Sequence, residues 1–104
     1  YGRLVGAKTD LTPVHPVDVA AQLKAPVLGL YGSEDSSIPL DTVDQMRKAL
    51  AAAQTNPFAK ASSITVFDKA QHGFHADYRP TYNSAAAKQA YNQALEFLRG
   101  KNLI

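Results

Sequence analysis

Two short apolar runs and two helical stripes occur along the chain, separated by polar loops. The runs, residues 27–31 and 64–67, lack the alternation of a half-exposed strand, and the second is β-branched and aromatic. Such runs are typical of strands buried on both faces of a parallel sheet. The sequence therefore predicts two buried strands, preceded by a short helix over residues 17–23 with Pro16 in its first turn.

The first helical stripe predicts a helix over residues 42–53. Its apolar positions recur at helical spacing and are Val43, Met46, Leu50 and Ala53. Asp41 is the expected N-cap, because its carboxylate can accept from the free N–H groups of the first turn. The pair Asn56-Pro57 is expected to stop the helix.

The second stripe predicts the last helix, with Asn83 or Ser84 as its N-cap. Its apolar positions are Ala87, Ala90, Tyr91, Ala94, Leu95 and Leu98. Gly100 lies where a C-terminal cap is expected. This segment is the clearest helix of the sequence.

The order strand, helix, strand, helix predicts a right-handed βαβ crossover with parallel strands. The carboxyl ends of parallel strands meet at one edge of a sheet, so the loops over residues 32–39 and 68–83 are expected to emerge side by side. Open α/β sheets bind their ligands at that edge. The second loop is long and irregular, and such a loop in a small domain is more often functional than accidental.

Each of these loops carries one titratable side chain close behind its strand. Asp35 lies four residues past Tyr31, and His72 lies five residues past Phe67. An aspartate that accepts from a ring nitrogen fixes the tautomer of a histidine during proton transfer, and in α/β-hydrolases the catalytic triad runs in the order nucleophile, acid, histidine. Considered alone, Asp35 is also typical of a turn residue, and His72 is also typical of a loop histidine that makes local hydrogen bonds. Considered together, the two residues favour a catalytic pair.

Composition narrows the classes of function. The chain has 104 residues, of which 45% are apolar and 19% charged, which suits one folded domain with a modest core. No apolar run approaches the roughly 18–20 residues that span a bilayer. The net charge of +2 is scattered, so we expect neither nucleic acid nor a membrane as partner. The absence of Cys excludes disulfides, thiolate metal sites and a cysteine nucleophile within this chain.

Three segments carry a resemblance to a known family. They are PVLGLYGSEDSSIP over residues 26–39, VFDKAQHGFH over 66–75 and ADYRPTYN over 76–83. In these segments the chain resembles the dienelactone hydrolase family, also called carboxymethylenebutenolidase-like, and the likeness covers nearly the whole chain. The resemblance implies an α/β fold class, namely a partial α/β-hydrolase fold with a parallel βαβ unit flanked by helices. It also implies that Asp35 and His72 are the triad acid and histidine of an ester or lactone hydrolase that needs no cofactor.

The chain departs from the family at the nucleophile. Family members carry it, usually as Cys, in a G-x-C-x-G-type elbow upstream of the acid, whereas this chain has neither Cys nor a G-x-S-x-G motif. The resemblance therefore implies that residues 1–104 are the carboxyl-terminal portion of an α/β-hydrolase domain, truncated on its N-terminal side, and the opening Tyr1-Gly2-Arg3 fits that expectation. The cell compartment stays open, with the cytoplasm favoured.

The expected consequences of such a truncation are functional and physical. We expect the chain alone to be inactive and, in its parent enzyme, to act on a small ester or lactone. An exposed sheet edge can pair with another chain, so we expect self-association, as a homodimer or larger species. The rival interpretation is a complete, non-enzymatic α/β interaction domain that associates through the same edge.

The long loop holds further candidates. Tyr78 and Arg79 are candidates for holding a substrate carboxylate, because a guanidinium meets one in bidentate geometry, and a solvated loop arginine is the alternative. The residues considered as metal ligands are His15, His72, His75 and Asp77. A His-x-x-His pair in a loop lacks the i, i+4 spacing of a helical metal site, so we expect no metal.

Overall fold

The computed structural model describes residues 1–104 and places a two-stranded parallel sheet between helices. Strand β1 spans Leu28–Gly32 and strand β2 spans Ser63–Phe67, with Leu28 opposite Ser63 and Gly32 opposite Phe67. A 3₁₀-helix spans Pro16–Gln22, and the α-helices are α1, Leu40–Ala52, α2, Pro57–Lys60, and α3, Ser84–Gly100. The predicted strands and their parallel pairing across a helical connection are confirmed.

Helix α1 begins earlier than the sequence pattern predicted. It starts at Leu40, and the N-cap position is occupied by Pro39, which offers no side-chain hydrogen bond. The prediction of Asp41 as N-cap was therefore wrong: this residue lies in the first turn, where its charge is still favourable beside the helix N-terminus. The hydroxyl of Thr42 instead donates to the carbonyl of Pro39 at 2.6 Å.

Helix α1 ends at Ala52, and Asn56, which was expected to stop it, is the N-cap of α2. Its side-chain oxygen accepts from the N–H groups of Phe58 and Ala59 and so caps the short helix α2. Its amide nitrogen donates to the carbonyls of Ala21 and Leu23, at 3.0 and 3.1 Å. One polar side chain thus fastens α2 to the end of the 3₁₀-helix, a contact between segments that are distant in sequence.

Buried side chains form two clusters. The larger comprises Leu4, Ala20, Ile38, Val43, Met46, Leu50, Ala53 and Ala59. The smaller comprises Phe67, Ala70, Phe74, Ala86 and Ala90. Tyr31 packs against the first cluster and its neighbour Leu30 against the second. Adjacent strand residues point to opposite faces, so each face of the sheet has its own cluster, with α1 on one side and α3 on the other.

The strands are less buried than the apolar runs predicted. In β1 only Gly29 and Gly32 are fully buried, and in β2 only Phe67 is. The remaining strand residues are half-buried, except Ser63, which is exposed. A sheet of two strands has no inner strand, which limits how far its side chains are covered.

Helix α3 largely follows the predicted stripe. Asn83 is its N-cap and accepts from the N–H of Ala86. Tyr91, predicted on the apolar face, is 56% exposed. The helix includes Gly100, and the left-handed residue that follows it is Asn102, with φ 58°, because asparagine tolerates that region better than most residues. None of the helices is of a length and hydropathy that would let it cross a membrane.

Candidate active site

The two loops that leave the strands are bonded to one another. Ser33 donates its N–H to the carbonyl of Phe67, and Glu34 donates to the carbonyl of Ala70, both at 2.9 Å. Gly32 allows this approach, because a Cβ at that position would collide with the backbone carbonyl of Ala70. The loop after β1 is therefore held directly against the loop after β2, as the parallel topology predicted.

Asp35 is buried at the junction of these loops, with its side chain only 5% exposed. Its Oδ1 accepts from the backbone N–H groups of Ser37 and Ile38, at 2.8 and 2.9 Å. Its Oδ2 lies 2.9 Å from Nδ1 of His72. Both carboxylate oxygens are thus engaged, one by its own loop and the other by the histidine. The structure brings together the two residues singled out from the sequence.

The loop that carries His72 folds back on itself. Gly73, which follows the histidine, adopts φ 78°, a conformation that glycine enters without a Cβ penalty. The returning segment then makes two hydrogen bonds to this turn. Thr81 donates its hydroxyl to the carbonyl of His72 at 2.7 Å, and Asn83 donates its N–H to the carbonyl of Phe74 at 2.9 Å.

The contact between Asp35 and His72 fixes the chemistry of the imidazole. An ionised carboxylate can only accept, so Nδ1 carries the proton and donates it to Oδ2. In the neutral ring Nε2 then holds a free lone pair. The His72 side chain is 27% exposed, which leaves the ring accessible. This arrangement can withdraw a proton from a neighbouring group while the carboxylate stabilises the resulting imidazolium.

A cavity of about 180 Å³ adjoins the pair. The aromatic and histidine side chains in its lining are Tyr1, Tyr31, His72, Phe74 and His75. Burial raises the pKa of the Tyr31 hydroxyl above its ordinary value of 10.0, and the negative charge of Asp35 adds to the rise. Tyr31 therefore remains a neutral phenol at any physiological pH. The cavity offers a wall of aromatic and aliphatic side chains beside one buried carboxylate and one accessible imidazole.

Of the remaining predicted site residues, Arg79 contacts a residue beside His72, whereas Tyr78 is largely exposed. Arg79 holds its guanidinium 5.4 Å from the ring centroid of Tyr1, and the Tyr1 ring contacts His72 edge-on with centroids 5.2 Å apart. Arg79 is thus one ring removed from the imidazole. Tyr78 is 81% exposed and does not line the cavity. No sequence motif pointed to Tyr1 as a lining residue of the cavity, because its position beside His72 depends on how the first residues fold over the loop.

The structure does not assemble the alternative metal site. The ring of His72 faces Asp35, and His15 directs Nε2 to the carbonyl of Ala7 at 3.0 Å. No group of three or more His, Cys, Asp or Glu side chains converges on a position that could hold a metal ion. Of the candidates, only His75 joins His72 at the cavity.

Known proteins resemble this chain in both sequence and fold. The sequence profile of the dienelactone hydrolase family matches residues 1–101. The chain belongs to the dienelactone hydrolase family. A solved dienelactone hydrolase from Klebsiella pneumoniae superimposes with a TM-score of 0.87 at 47% identity, over 95% of this chain and 39% of that one. The fold is accordingly part of an α/β-hydrolase fold, as the resemblance implied.

Curated relatives match over nearly all of this chain. A Salmonella typhimurium protein with the provisional name carboxymethylenebutenolidase is 52% identical over 97 residues, which are 93% of this chain and 34% of the relative. One from Methylorubrum extorquens, with the same provisional name, is 48% identical over 99 residues, 95% of this chain and 32% of the relative. A Bradyrhizobium protein provisionally named as a lactonase is 33% identical over 100 residues, 95% of this chain and 38% of the relative. The chain thus spans about a third of the length of these relatives.

Proposed function

We propose that this chain supplies the acid and the histidine of an ester or lactone hydrolase whose nucleophile lies in residues outside it. The observation that carries the proposal is the 2.9 Å contact between Oδ2 of Asp35 and Nδ1 of His72 at the edge of a cavity. Membership of the dienelactone hydrolase family supports the reaction class. The absence of Cys and of a G-x-S-x-G elbow from residues 1–104 is the reason for assigning the nucleophile elsewhere.

In the proposed reaction His72 transfers one proton in each of two half-reactions. Its Nε2 takes the proton of a Ser or Cys nucleophile as that group attacks the carbonyl carbon, and Asp35 stabilises the imidazolium. The C–O bond of the ester or lactone then breaks, and the imidazolium gives this proton to the leaving oxygen. In the second half Nε2 accepts a proton from water, whose oxygen attacks the acyl group. The proton passes to the nucleophile as the carboxylic acid is released.

The function is testable by restoring the missing part of the fold. In a chimera, this chain replaces the matching segment of the Salmonella typhimurium relative, and hydrolysis of a nitrophenyl ester and of a small lactone is measured. We expect turnover by the chimera, and a loss of about 10⁶-fold in His72→Ala, the cost of removing a triad histidine. His15→Ala, at a histidine bonded only to its own segment, is the control and should retain activity.

The isolated chain provides the complementary measurement. Without a nucleophile or the backbone donors next to it, we expect no hydrolysis above that of Asp35→Ala at equal concentration. A folded chimera without turnover, or one that is unaffected by His72→Ala, contradicts the proposed role of this histidine. Hydrolysis by the isolated wild-type chain contradicts the assignment of the nucleophile to residues outside it.

A further inference from the structure

The peptide groups of His72 are missing from the backbone hydrogen-bond network. No backbone N–H donates to its carbonyl, and its own N–H donates to no backbone carbonyl. Its neighbours are well held: Phe74 donates to the carbonyl of Gln71, and Asn83 donates to the carbonyl of Phe74. The peptide groups of His72 therefore take no part in the backbone hydrogen bonds that stabilise its loop.

One side chain makes a hydrogen bond to the backbone of His72 instead. Thr81 donates its hydroxyl to the carbonyl of His72 at 2.7 Å, across nine residues of sequence and in a half-buried setting. It follows Pro80, whose ring restricts the backbone just before it. Its branched Cβ limits the hydroxyl to few rotamers. These features make Thr81 a stiff donor whose position is set by the returning segment of the loop.

We infer that Thr81 is a positioning residue for His72, which it serves by fixing the backbone from which the imidazole projects. The inference rests on the proposed function, since positioning matters only if the imidazole transfers protons. With the carbonyl held by Thr81, the imidazole projects from a fixed backbone toward Asp35, and Nδ1 lies 2.9 Å from Oδ2. Without the hydroxyl, His72 has no hydrogen bond to its backbone, next to a glycine at φ 78°.

The direct readout is NMR of the His72 imidazole in the 104-residue chain, which requires no activity. In the wild type, the Nδ1 proton bonded to Asp35 is expected as a slowly exchanging, far-downfield signal. Thr81→Val keeps the branched shape but removes the donor, so we expect this signal to broaden or disappear. Thr81→Ser retains a hydroxyl and should restore it. If Thr81→Val does not fold, Thr81→Cys replaces it, because a thiol is a weaker donor of similar size.

The matched control is Ser62→Ala. The Ser62 hydroxyl also donates to a backbone carbonyl, that of Phe58 at 2.7 Å, and accepts from the N–H of Val27. It lies at the opposite end of β2 from His72. Its loss should lower the melting temperature at least as much as Thr81→Val does, without altering the imidazole signal. A purely structural role for Thr81 predicts the same behaviour for both variants.

Kinetics in the chimera then separate the two claims. Thr81→Val should lower kcat by about 10- to 100-fold, as expected for a displaced catalytic group, with little change in KM and with recovery in Thr81→Ser. An imidazole signal unchanged by Thr81→Val overturns the positioning role, whatever the activity. If Thr81→Val alters the imidazole signal of the chain but the wild-type chimera is folded and inactive, the positioning role is supported and the proposed function is overturned.

Discussion

Asp35 performs two tasks with its two carboxylate oxygens. Oδ1 closes its own loop by accepting from Ser37 and Ile38, whereas Oδ2 orients His72. The first task is structural and needs only an acceptor. The second also requires that the group facing Nδ1 has no proton to donate. The two tasks can therefore be separated by substitution.

Asp35→Asn and Asp35→Ala are expected to differ. Asparagine can keep an oxygen toward Ser37 and Ile38, but its NH₂ then faces Nδ1 and favours the tautomer protonated at Nε2, which cannot act as a base. We expect near-wild-type melting of Asp35→Asn and a kcat about 10⁴-fold lower in the chimera. Asp35→Ala should also lose about 1–3 kcal/mol of unfolding free energy, because it leaves buried donors unpaired. Full turnover by folded Asp35→Asn contradicts the orienting role.

Tyr31 gives the chain a dependence on alkaline pH. Its pKa is raised by burial and by the charge of Asp35, so between pH 10 and the higher folded value the native state binds more protons than the unfolded state. The resulting stability is fully present below pH 10 and is lost as the pH rises through the folded pKa. We expect Tyr31→Phe to reduce the fall in unfolding free energy above pH 10 in denaturant titrations. Identical slopes for both proteins contradict this assignment.

At the scale of elements, the decisive contact is the one between the two loops that follow the strands. Gly32 ends β1 against the carbonyl of Ala70, which also accepts from Glu34. This contact brings the loop carrying the acid against the loop carrying the histidine. The position therefore links the stability of the sheet edge to the geometry of the site.

Gly32→Ala is expected to destabilise the fold by about 1–3 kcal/mol, the usual cost of overpacking, because a backbone carbonyl cannot rotate out of the way. Gly100→Ala is the matched control. It lies in α3, where an added Cβ would meet no atom within 4 Å, and alanine favours helix over glycine by about 0.5–1 kcal/mol. Chemical denaturation should therefore shift the two variants in opposite directions. Equal stability of Gly32→Ala and the wild type contradicts the close approach of Gly32 to Ala70.

Most of the helices and strands could be predicted from the sequence because the patterns that indicate them are local. The α1 stripe with Val43 and Met46, the Asn83 cap and the order Asp35 before His72 all follow from spacing or residue type. The start of α1 was mispredicted because Pro39 occupies the N-cap position without a capping side chain. The hydrogen bonds from Asn56 to Ala21 and Leu23 could not be predicted, since they join segments far apart in sequence. The same holds for the hydrogen bond from Thr81 to His72, which exists only because the loop turns back on itself.

At the scale of the whole molecule, the two edges of the sheet differ. Ser63 donates to the carbonyl of Val27, so by the alternation of a parallel ladder the peptide groups of Leu28 and Leu30 point away from β2. No strand pairs with them. The outer edge of β2 is partly covered, because the guanidinium of Arg47 donates to the carbonyl of Ile64 at 2.8 Å. The open edge is thus that of β1.

We propose that the isolated chain associates with a second copy through this open edge, since unpaired strand edges recruit other strands. Light scattering at high micromolar concentration should give a mass above that of the 11.2 kDa monomer. Leu28→Pro removes an outward N–H without breaking the pairing with β2, so it should lower the measured mass. Leu28→Ala is the control: it shortens the side chain but keeps this N–H, so the higher mass should remain. A monomeric wild type, or equal masses for both variants, contradicts association through β1.

The proposed chemistry requires that Asp35 holds the neutral imidazole of His72 with its proton on Nδ1 and its lone pair on Nε2. Nitrogen-15 NMR of the ring in the 104-residue chain measures this directly at a pH where the ring is neutral. We expect a protonated Nδ1 and an unprotonated Nε2, with the pattern reversed in Asp35→Asn. A wild-type ring protonated at Nε2, or one averaging between both tautomers, contradicts the role of Asp35 and with it the proposed chemistry.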